Sequence, residues 1–302
     1  MTEFSLLADG LGFPEGPVWM PDGGIVLTEI AAGRITRVAP DGRKSTIAET
    51  GGGPNGLARG PDSQFYVCNN GGFNWSRDDG GLRPVGKADD YSGGRIEKID
   101  PETGRVERLY DRCGDVVLSA PNDIVFDAHG GFYFTDHGHR QGRKLEFGAV
   151  YYARADGSFI REVAFPLIGP NGIGLSPDGG TLYVAETSSG RLWSWRITGP
   201  GEVARPGWPS PTGGDLAAGL PGFQRYDSLA VEAGGNIAIA TLRLGGIVVV
   251  SPDGREVERR PTPDPYTTNL CFGGPDMRTA FVTLSGSGRL VSVPWSRPGL
   301  AL

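Results

Sequence analysis

The sequence predicts an all-β protein, a six-bladed β-propeller that forms one domain over residues 1–302. Two observations indicate this fold. One pattern recurs six times along the chain: a short apolar run, a turn of the Pro-Asp-Gly kind, and a second run rich in β-branched and aromatic residues. The 50 glycines and 24 prolines are spread between these apolar runs, as expected for a chain with many tight turns.

The six copies share the sequence of a β-hairpin, because proline presets and glycine permits the backbone dihedrals of its turn. They begin, in chain order, at Glu15, Asn55, Asn122, Asn171, Asp227 and Asn269. The intervals between them are 40 to 67 residues. Such a period fits one four-stranded blade per copy.

The remaining strands of each blade follow its hairpin. A third run is present in every copy, as in RITRVAP from Arg34, and a fourth is legible in places, as in KSTIAET from Lys44. The sixth copy has no fourth run. We therefore predict that FSLLADG, from Phe4, supplies this strand and that the last blade is closed by the N-terminal strand.

One long segment departs from the blade pattern, a Gly- and Asp-rich insertion at about 71–91 in blade two. Insertions of this size are usually either disordered or lids over a site. Because this one carries Phe73 and Trp75, we favour a lid.

Composition excludes several classes of partner. The net charge of −6 argues against nucleic acid and anionic membranes, which bind basic surfaces. No run approaches the length of a membrane span, and MTEFSLLADG has no features of a signal peptide. Three widely spaced cysteines fit reduced thiols. We expect a cytoplasmic protein, either a monomer or a small homo-oligomer.

The residues that begin the six copies form the candidate site. The first strand of a blade is innermost, so these residues are expected at one height around one mouth of the central channel. Each carries a side-chain carbonyl or carboxylate oxygen. One interpretation is that they only cap turns, as Asn and Asp after proline often do. Glu15 is a poor cap, however, and converging oxygens with two carboxylates suit a hard divalent cation.

The motifs around these positions resemble those of a known family. FPEGPVWMPDG, the PND at 121–123, the PNG at 170–172 and YDSLAVE around Asp227 are similar to the gluconolactonase/regucalcin (SMP-30-like) family of six-bladed propellers. The resemblance implies a metal-dependent lactonase. It also implies that Glu15, Asn171 and Asp227 bind the metal, with Asn122 as a fourth ligand or a substrate contact. Ala120 stands where the regucalcin branch has an arginine that precedes this asparagine.

The metal is expected to be one divalent ion, calcium first, with magnesium, manganese, zinc or ferrous iron as alternatives, because all-oxygen ligand sets discriminate poorly between these ions. Such an ion can polarise a lactone carbonyl and activate water. Asp227 is the predicted base, although Glu15 could share the role. Further residues at the same mouth are predicted to contact a small-molecule lactone: Asn55, Asn69, Asn70, Asn122, His137, Arg140, Glu186, Arg243 and Asn269.

Three hypotheses for function follow from these residues. The first is hydrolysis of a sugar-acid lactone such as gluconolactone, as part of carbohydrate metabolism. The second is a phosphotriesterase-like hydrolase that uses the same metal site. The third is a non-catalytic propeller that binds a ligand. His137 and His139 have a spacing known in zinc sites, but the chain has three histidines in all, which disfavours a histidine-rich metal centre.

Overall fold

The computed structural model describes residues 4–207 and 209–301. Over these residues the chain forms six antiparallel blades around a central channel, which confirms the predicted propeller. The first strand of each blade contacts the first strand of the next, and the first strand of blade six contacts that of blade one. The first strands therefore surround the axis.

The blades consist of the following strands. Blade one has Pro14–Trp19, Ile25–Glu29, Arg34–Val38 and Lys44–Glu49; blade two has Pro54–Arg59, Phe65–Asn69, Arg95–Ile99 and Val106–Tyr110; blade three has Pro121–Phe126, Gly131–Asp136, Gly148–Arg154 and Ile160–Leu167. Blade four has Pro170–Leu175, Thr181–Glu186, Arg191–Gly199 and Asp215–Ala218; blade five has Tyr226–Val231, Ile237–Thr241, Gly246–Val250 and Glu256–Pro261; blade six has Thr267–Gly273, Thr279–Leu284, Arg289–Pro294 and Ser5–Ala8.

Small elements decorate this frame. Glu202–Val203 also pairs with the long third strand of blade four. Three hairpins lie outside the blades: Phe73–Asp78 with Gly81–Lys87, Arg112–Cys113 with Val116–Val117, and Arg140–Gln141 with Lys144–Leu145. A single 3-10 turn covers Ile30–Ala32. No helix within the described ranges is long and apolar enough to cross a bilayer.

The ring closes as predicted. Ser5 pairs with Ser292 and Leu6 with Val291, so the N-terminal strand is the outer strand of the last blade.

The hydrophobic core is divided among the blade interfaces. One cluster of buried apolar side chains fills each of the six contacts between neighbouring blades. Between blades three and four, for example, Trp193 and Trp195 pack with Tyr133 and Tyr152. Because the sheets are covered on both faces, the second strands are buried almost throughout, as in Phe65–Asn69, which is apolar up to its last residue. This packing holds the inner strands at fixed positions around the channel.

A seventh apolar cluster lies at the mouth of the channel. It joins Phe73, Trp75 and Leu82 of the 71–91 insertion to buried Phe13 and Tyr266. The Trp75 ring centroid is 5.0 Å from that of Phe13. The Leu82 amide donates to the carbonyl of Gly286 in blade six, at 2.8 Å. The insertion is thus an ordered hairpin that extends from blade two across the mouth to blades one and six, the position that a lid would take.

Candidate active site at the mouth of the channel

All six residues of the predicted ring lie within the first three positions of first strands and are buried, between 3% and 8% exposed. In every blade the pairing of the first strand with the second shifts register near this residue. A bulge of this kind breaks the strict alternation of side chains and re-aims the residues that it contains. The local irregularity therefore lets polar side chains leave the sheet plane at the channel mouth.

Glycines that follow the ring residues bring the inner strands together. A Cβ atom on Gly16 would lie 2.6 Å from the backbone nitrogen of Leu57, and one on Gly172 would lie 2.6 Å from that of Leu229. Gly56 packs in the same way against the carbonyl of Asn122. Any larger residue would push the neighbouring strand away, so these glycines keep the ring narrow.

Hydroxyl groups link the ring residues to neighbouring blades. Thr28 Oγ1 in blade one donates to the carbonyl of Asn55 in blade two, at 2.7 Å. Thr135 Oγ1 in blade three donates in the same way to the carbonyl of Asn171 in blade four, at 2.6 Å. These bonds fix the backbone of the ring residues, and with it the direction of their side chains.

Two of the ring side chains are carboxylates that lie close to one another. Burial raises the pKa of Asp227 well above its ordinary value, and the neighbouring charge of Glu15 raises it further. Burial also raises the pKa of Glu15, whose Oε2 accepts hydrogen bonds from Asn269 Nδ2 and from the Gly16 amide, both at 2.7 Å. The side chain of Asn171 hydrogen-bonds to the carboxylate of Asp227 and lowers its pKa. Glu15 is thus held by a backbone amide and by Asn269, whereas the donor to Asp227 is itself a residue of the predicted ring.

A third buried carboxylate, Asp123, belongs to the same cluster and was missed by our reading of the sequence. Burial, followed by the charge of Glu15, raises the pKa of Asp123 to about 8. Its Oδ1 accepts from the amide of Ile124 at 3.0 Å. The other blades have Gly, Ser or Leu at this position, so the repeat gave no signal. Three carboxyl groups therefore share a buried space in which their charges repel.

The amides of the ring complete the set of oxygens. Asn171 lies beside Asp227 and lowers its pKa, and Asn171 Oδ1 is fully buried with no hydrogen-bond partner among the described residues. Such a carbonyl oxygen, left without a donor beside the Asp227 carboxylate, is costly unless a cation is bound. No group of three or more His, Cys, Asp or Glu side chains in the described parts of the chain has the arrangement of a metal site. A cation here would therefore depend on amide oxygens.

The donor set fits a hard divalent cation. Glu15 and Asp227 supply two formal charges and Asn171 a free amide oxygen, the ligand types that calcium and magnesium prefer. Asn122 and Asn55 begin the neighbouring inner strands, and no hydrogen bond to either side chain is present within the described ranges. Asn269 instead donates to Glu15 and accepts from the Leu270 amide, so it positions a ligand.

Two predicted substrate contacts have structural partners instead. Asn69 is fully buried: its Oδ1 accepts from the amides of Gly53 and Gly71, and its Nδ2 donates to the carbonyl of Gly51 and to Glu97. Glu186 accepts from the Ile168 amide at 2.8 Å and from Ser189.

Glu29 and Asp136 hold the equivalent position, the last residue of the second strand, in blades one and three. Each accepts hydrogen bonds from amides that lie just before the first strand of the same blade. The ends of these second strands therefore anchor the loops that lead into the ring. Asn69 and Glu186 are therefore not part of the proposed site, because their polar atoms already have structural partners.

The other predicted contacts lie on the loops around the mouth. His137 is partly buried beside Gly169, and burial lowers its pKa. His139 packs edge-on against Tyr91, with its Nε2 buried and unpartnered among the described residues. Arg243 is exposed, 5.4 Å from the ring centroid of Tyr266.

Arg140 is exposed on its own small hairpin. Asn70 is buried, and its Oδ1 accepts from the Gly72 amide at 2.9 Å. Contact between these side chains and a substrate stays a prediction.

The fold and the site together define a class of protein: a six-bladed propeller with buried carboxylate and amide oxygens at one mouth of its channel. A family model described as the SMP-30/Gluconolactonase/LRE-like region matches residues 13–286. The chain belongs to this family, as the resemblance of its motifs implied.

Individual relatives agree with this assignment. A gluconolactonase of Zymomonas mobilis subsp. mobilis is 25% identical over 94% of this chain and 79% of its own length. Lactonase drp35 of Staphylococcus haemolyticus is 28% identical over 80% of this chain and 66% of its own length. Regucalcin from Agrobacterium tumefaciens, described as a calcium-binding protein, superimposes with a TM-score of 0.75 at 20% identity, covering 100% of this chain and 98% of that one. At that identity the likeness concerns the fold alone.

Proposed function

We propose that this protein is a divalent-metal-dependent hydrolase that opens a small lactone, with a sugar-acid lactone such as gluconolactone as the first candidate. The relatives described as gluconolactonase and lactonase support the reaction class. The observation that carries the metal dependence is the buried Oδ1 of Asn171, unpartnered among the described residues and beside the carboxylate of Asp227, which is in turn close to that of Glu15. A cytoplasmic location remains part of the proposal.

The proposed ligands are Glu15, Asn171 and Asp227, with Asn122 as a fourth ligand or a substrate contact. When bound, a divalent cation supplies polarisation of the lactone carbonyl and a lower pKa for water. Calcium is the first candidate, since the ligands are carboxylate and amide oxygens.

The division of roles between the two carboxylates follows from their hydrogen bonds. Glu15 is fixed by Asn269 and the Gly16 amide, which suits a permanent ligand. Asp227, whose donor is the Asn171 side chain, is the proposed general base that takes the proton from the attacking water. Burial of both groups excludes bulk water from the reacting carbonyl.

The test is a lactone panel assayed after chelation and after addition of calcium, magnesium, manganese, zinc or ferrous iron singly. We expect activity to vanish on chelation and to return with at least one ion. Asp227→Asn should abolish turnover, whereas the matched control Asp178→Asn removes an exposed carboxylate from a turn of blade four and should leave it unchanged. Full activity in the chelated protein would contradict the metal dependence. Turnover of organophosphates without any lactone turnover would favour the phosphotriesterase hypothesis.

A further inference from the structure

The hairpin of the 71–91 insertion reaches two opposite sides of the channel mouth. It leaves the frame at blade two. Near its root, the ring of Phe73 lies edge-on to that of His139, which follows the second strand of blade three, with the ring centroids 6.4 Å apart. At its tip, the amide of Leu82 donates to the carbonyl of Gly286 in blade six, at 2.8 Å. Blades three and six face each other in a propeller of six blades, so the hairpin crosses the mouth.

Few contacts tie this hairpin to the rest of the propeller. Over the described residues its two strands pair only with each other, as a separate two-stranded sheet. In the same part of the chain, the bond from Leu82 to Gly286 is the single hydrogen bond that joins residues 73–87 to another blade. The other contacts are apolar, as between Trp75 and Phe13. A segment held in this way opens at a lower free energy than the strands of a blade.

The tip fits against blade six because glycines form both sides of the contact. A Cβ atom on Gly81 would lie 2.1 Å from the carbonyl oxygen of Gly286, and one on Gly286 would lie 2.7 Å from that of Gly80. Real Cβ atoms do not make contacts this short. Gly81 also has a φ of +99°, which residues with a side chain rarely adopt. A methyl group on either side would therefore hold the tip away from blade six.

The closed hairpin lies directly beside the proposed metal ligands. Phe13, which packs against Trp75 with ring centroids 5.0 Å apart, stands two residues before Glu15. A substrate that reaches the buried oxygens must pass the hairpin. Any bulky group that extends from the substrate toward the mouth then stands where the hairpin closes.

We propose that this hairpin is a specificity-determining lid, which opens by release of its tip from Gly286 and in its closed position restricts the protein to lactones of single sugar units. This inference rests on the proposed lactonase function and narrows its substrate class. Closure excludes bulk water from the reacting carbonyl, so a substrate that keeps the lid open reacts more slowly. Lactones that carry a second sugar unit are therefore the poorer substrates.

The kinetic test compares D-glucono-1,5-lactone with cellobiono-1,5-lactone, which has the same lactone ring and one additional glucosyl group. After subtraction of spontaneous hydrolysis, wild-type kcat/KM should be at least about 10-fold higher on the smaller lactone. Gly81→Ala and Gly286→Ala disturb the same contact from its two sides. Each should lower kcat/KM on the smaller lactone by about 10-fold and change the larger one less than about 3-fold.

Gly130→Ala is the matched control, because Gly130 also has a positive φ, +78°, and lies in a turn of blade three with open space around its Cβ position. It should change neither lactone. Equal losses on both lactones in Gly81→Ala and Gly286→Ala would show that these glycines act through the fold alone and would overturn the proposal. So would unchanged kinetics in both variants, or a wild-type protein that does not prefer the smaller lactone.

Hydrogen–deuterium exchange tests the lid without turnover. In wild type, the Leu82 amide should exchange at least about 10-fold faster than the amides of Thr279–Leu284 in blade six, because opening of the hairpin alone exposes it. Gly81→Ala should accelerate this exchange about 10-fold, and Gly130→Ala should not. Exchange of the Leu82 amide at the rate of the blade would overturn the proposal, because the hairpin would then not open by itself.

The same measurement separates this inference from the proposed activity. In the presence of calcium, D-gluconate should slow the exchange of the Leu82 amide, and cellobionate should not. This result would support the lid and its size limit even in a protein that hydrolyses no lactone. Equal protection by the two acids would overturn the size limit, even in a protein that is an active lactonase.

Discussion

Replacing Thr135 with valine should weaken both the fold and the proposed metal site. Thr135 is fully buried in the second strand of blade three, and its Oγ1 makes two hydrogen bonds. It accepts from the amide of Asp123 at 3.1 Å and donates to the carbonyl of Asn171 in the next blade at 2.6 Å. Valine has nearly the same shape and can make neither bond, so the substitution tests the polar link with little change in packing.

The magnitude follows from the groups left behind. A buried amide or carbonyl that loses its hydrogen-bond partner costs about 1–3 kcal/mol. Two such groups are left behind, so we expect Thr135→Val to lower the free energy of unfolding by about 2–6 kcal/mol. Because Asn171 loses the bond that fixes its backbone, we also expect about 10- to 100-fold weaker binding of calcium, as for other residues that orient metal ligands.

Two assays measure these effects separately. Urea unfolding of the chelated protein gives the change in stability, and calorimetric titration with calcium gives the change in affinity. Thr46→Val is the control, since Thr46 is exposed on the outer strand of blade one and should shift stability by less than about 0.5 kcal/mol. A loss of stability with unchanged calcium affinity would refute the argument that this hydroxyl orients Asn171.

Three other predictions concern separate parts of the molecule. Asp227→Asn should raise the melting temperature of the chelated protein, because it removes one of the charges that repel Glu15. The same substitution should lower kcat by about 100- to 10,000-fold. A lower melting temperature would contradict the proposed repulsion. Trp75→Ala should release the hairpin of the 71–91 insertion from the channel mouth, so that limited proteolysis cleaves it faster near residues 78–81. An unchanged cleavage rate would show that Trp75 does not anchor this hairpin.

Glu232 has a pKa below its ordinary value because Arg297, Asn236 and Trp295 donate to its buried carboxylate. Its contribution to stability is therefore present above about pH 4.5 and lost as the pH falls through the lower folded-state pKa. Melting curves from pH 7 to pH 3 should fall more steeply in wild type than in Glu232→Gln, and parallel curves would contradict this.

The blades could be predicted from the sequence because each carries a complete local signature. A turn with Pro and Gly between two apolar runs specifies a hairpin without reference to the rest of the chain. Closure of the ring by the N-terminal strand, Ser5–Ala8, could be predicted because the sixth copy lacks one strand. Because the repeat places equivalent residues at equivalent positions around the axis, it also predicts that Glu15 and Asp227 lie at one height.

Finer features of the site depend on geometry that the repeat does not encode. Asp123 adjoins Asn122, and simple alternation would send the two side chains to opposite faces. The register shift between Pro121 and Ile124 breaks that rule in this strand. Glu186 stands at the mouth, as predicted, yet its partner is the Ile168 amide 18 residues earlier in the chain. Only the folded loop reveals that this carboxylate already has a donor.

The pairing of Ser5–Ala8 with Arg289–Pro294 gives the propeller no terminal blade. In a linear stack of repeats, the outermost units have one neighbour each and unravel first. Here blade six has a packed partner on both sides. We therefore expect its backbone amides to exchange with deuterium as slowly as those of blade three, and the six blades to melt as one cooperative unit instead of fraying from an edge.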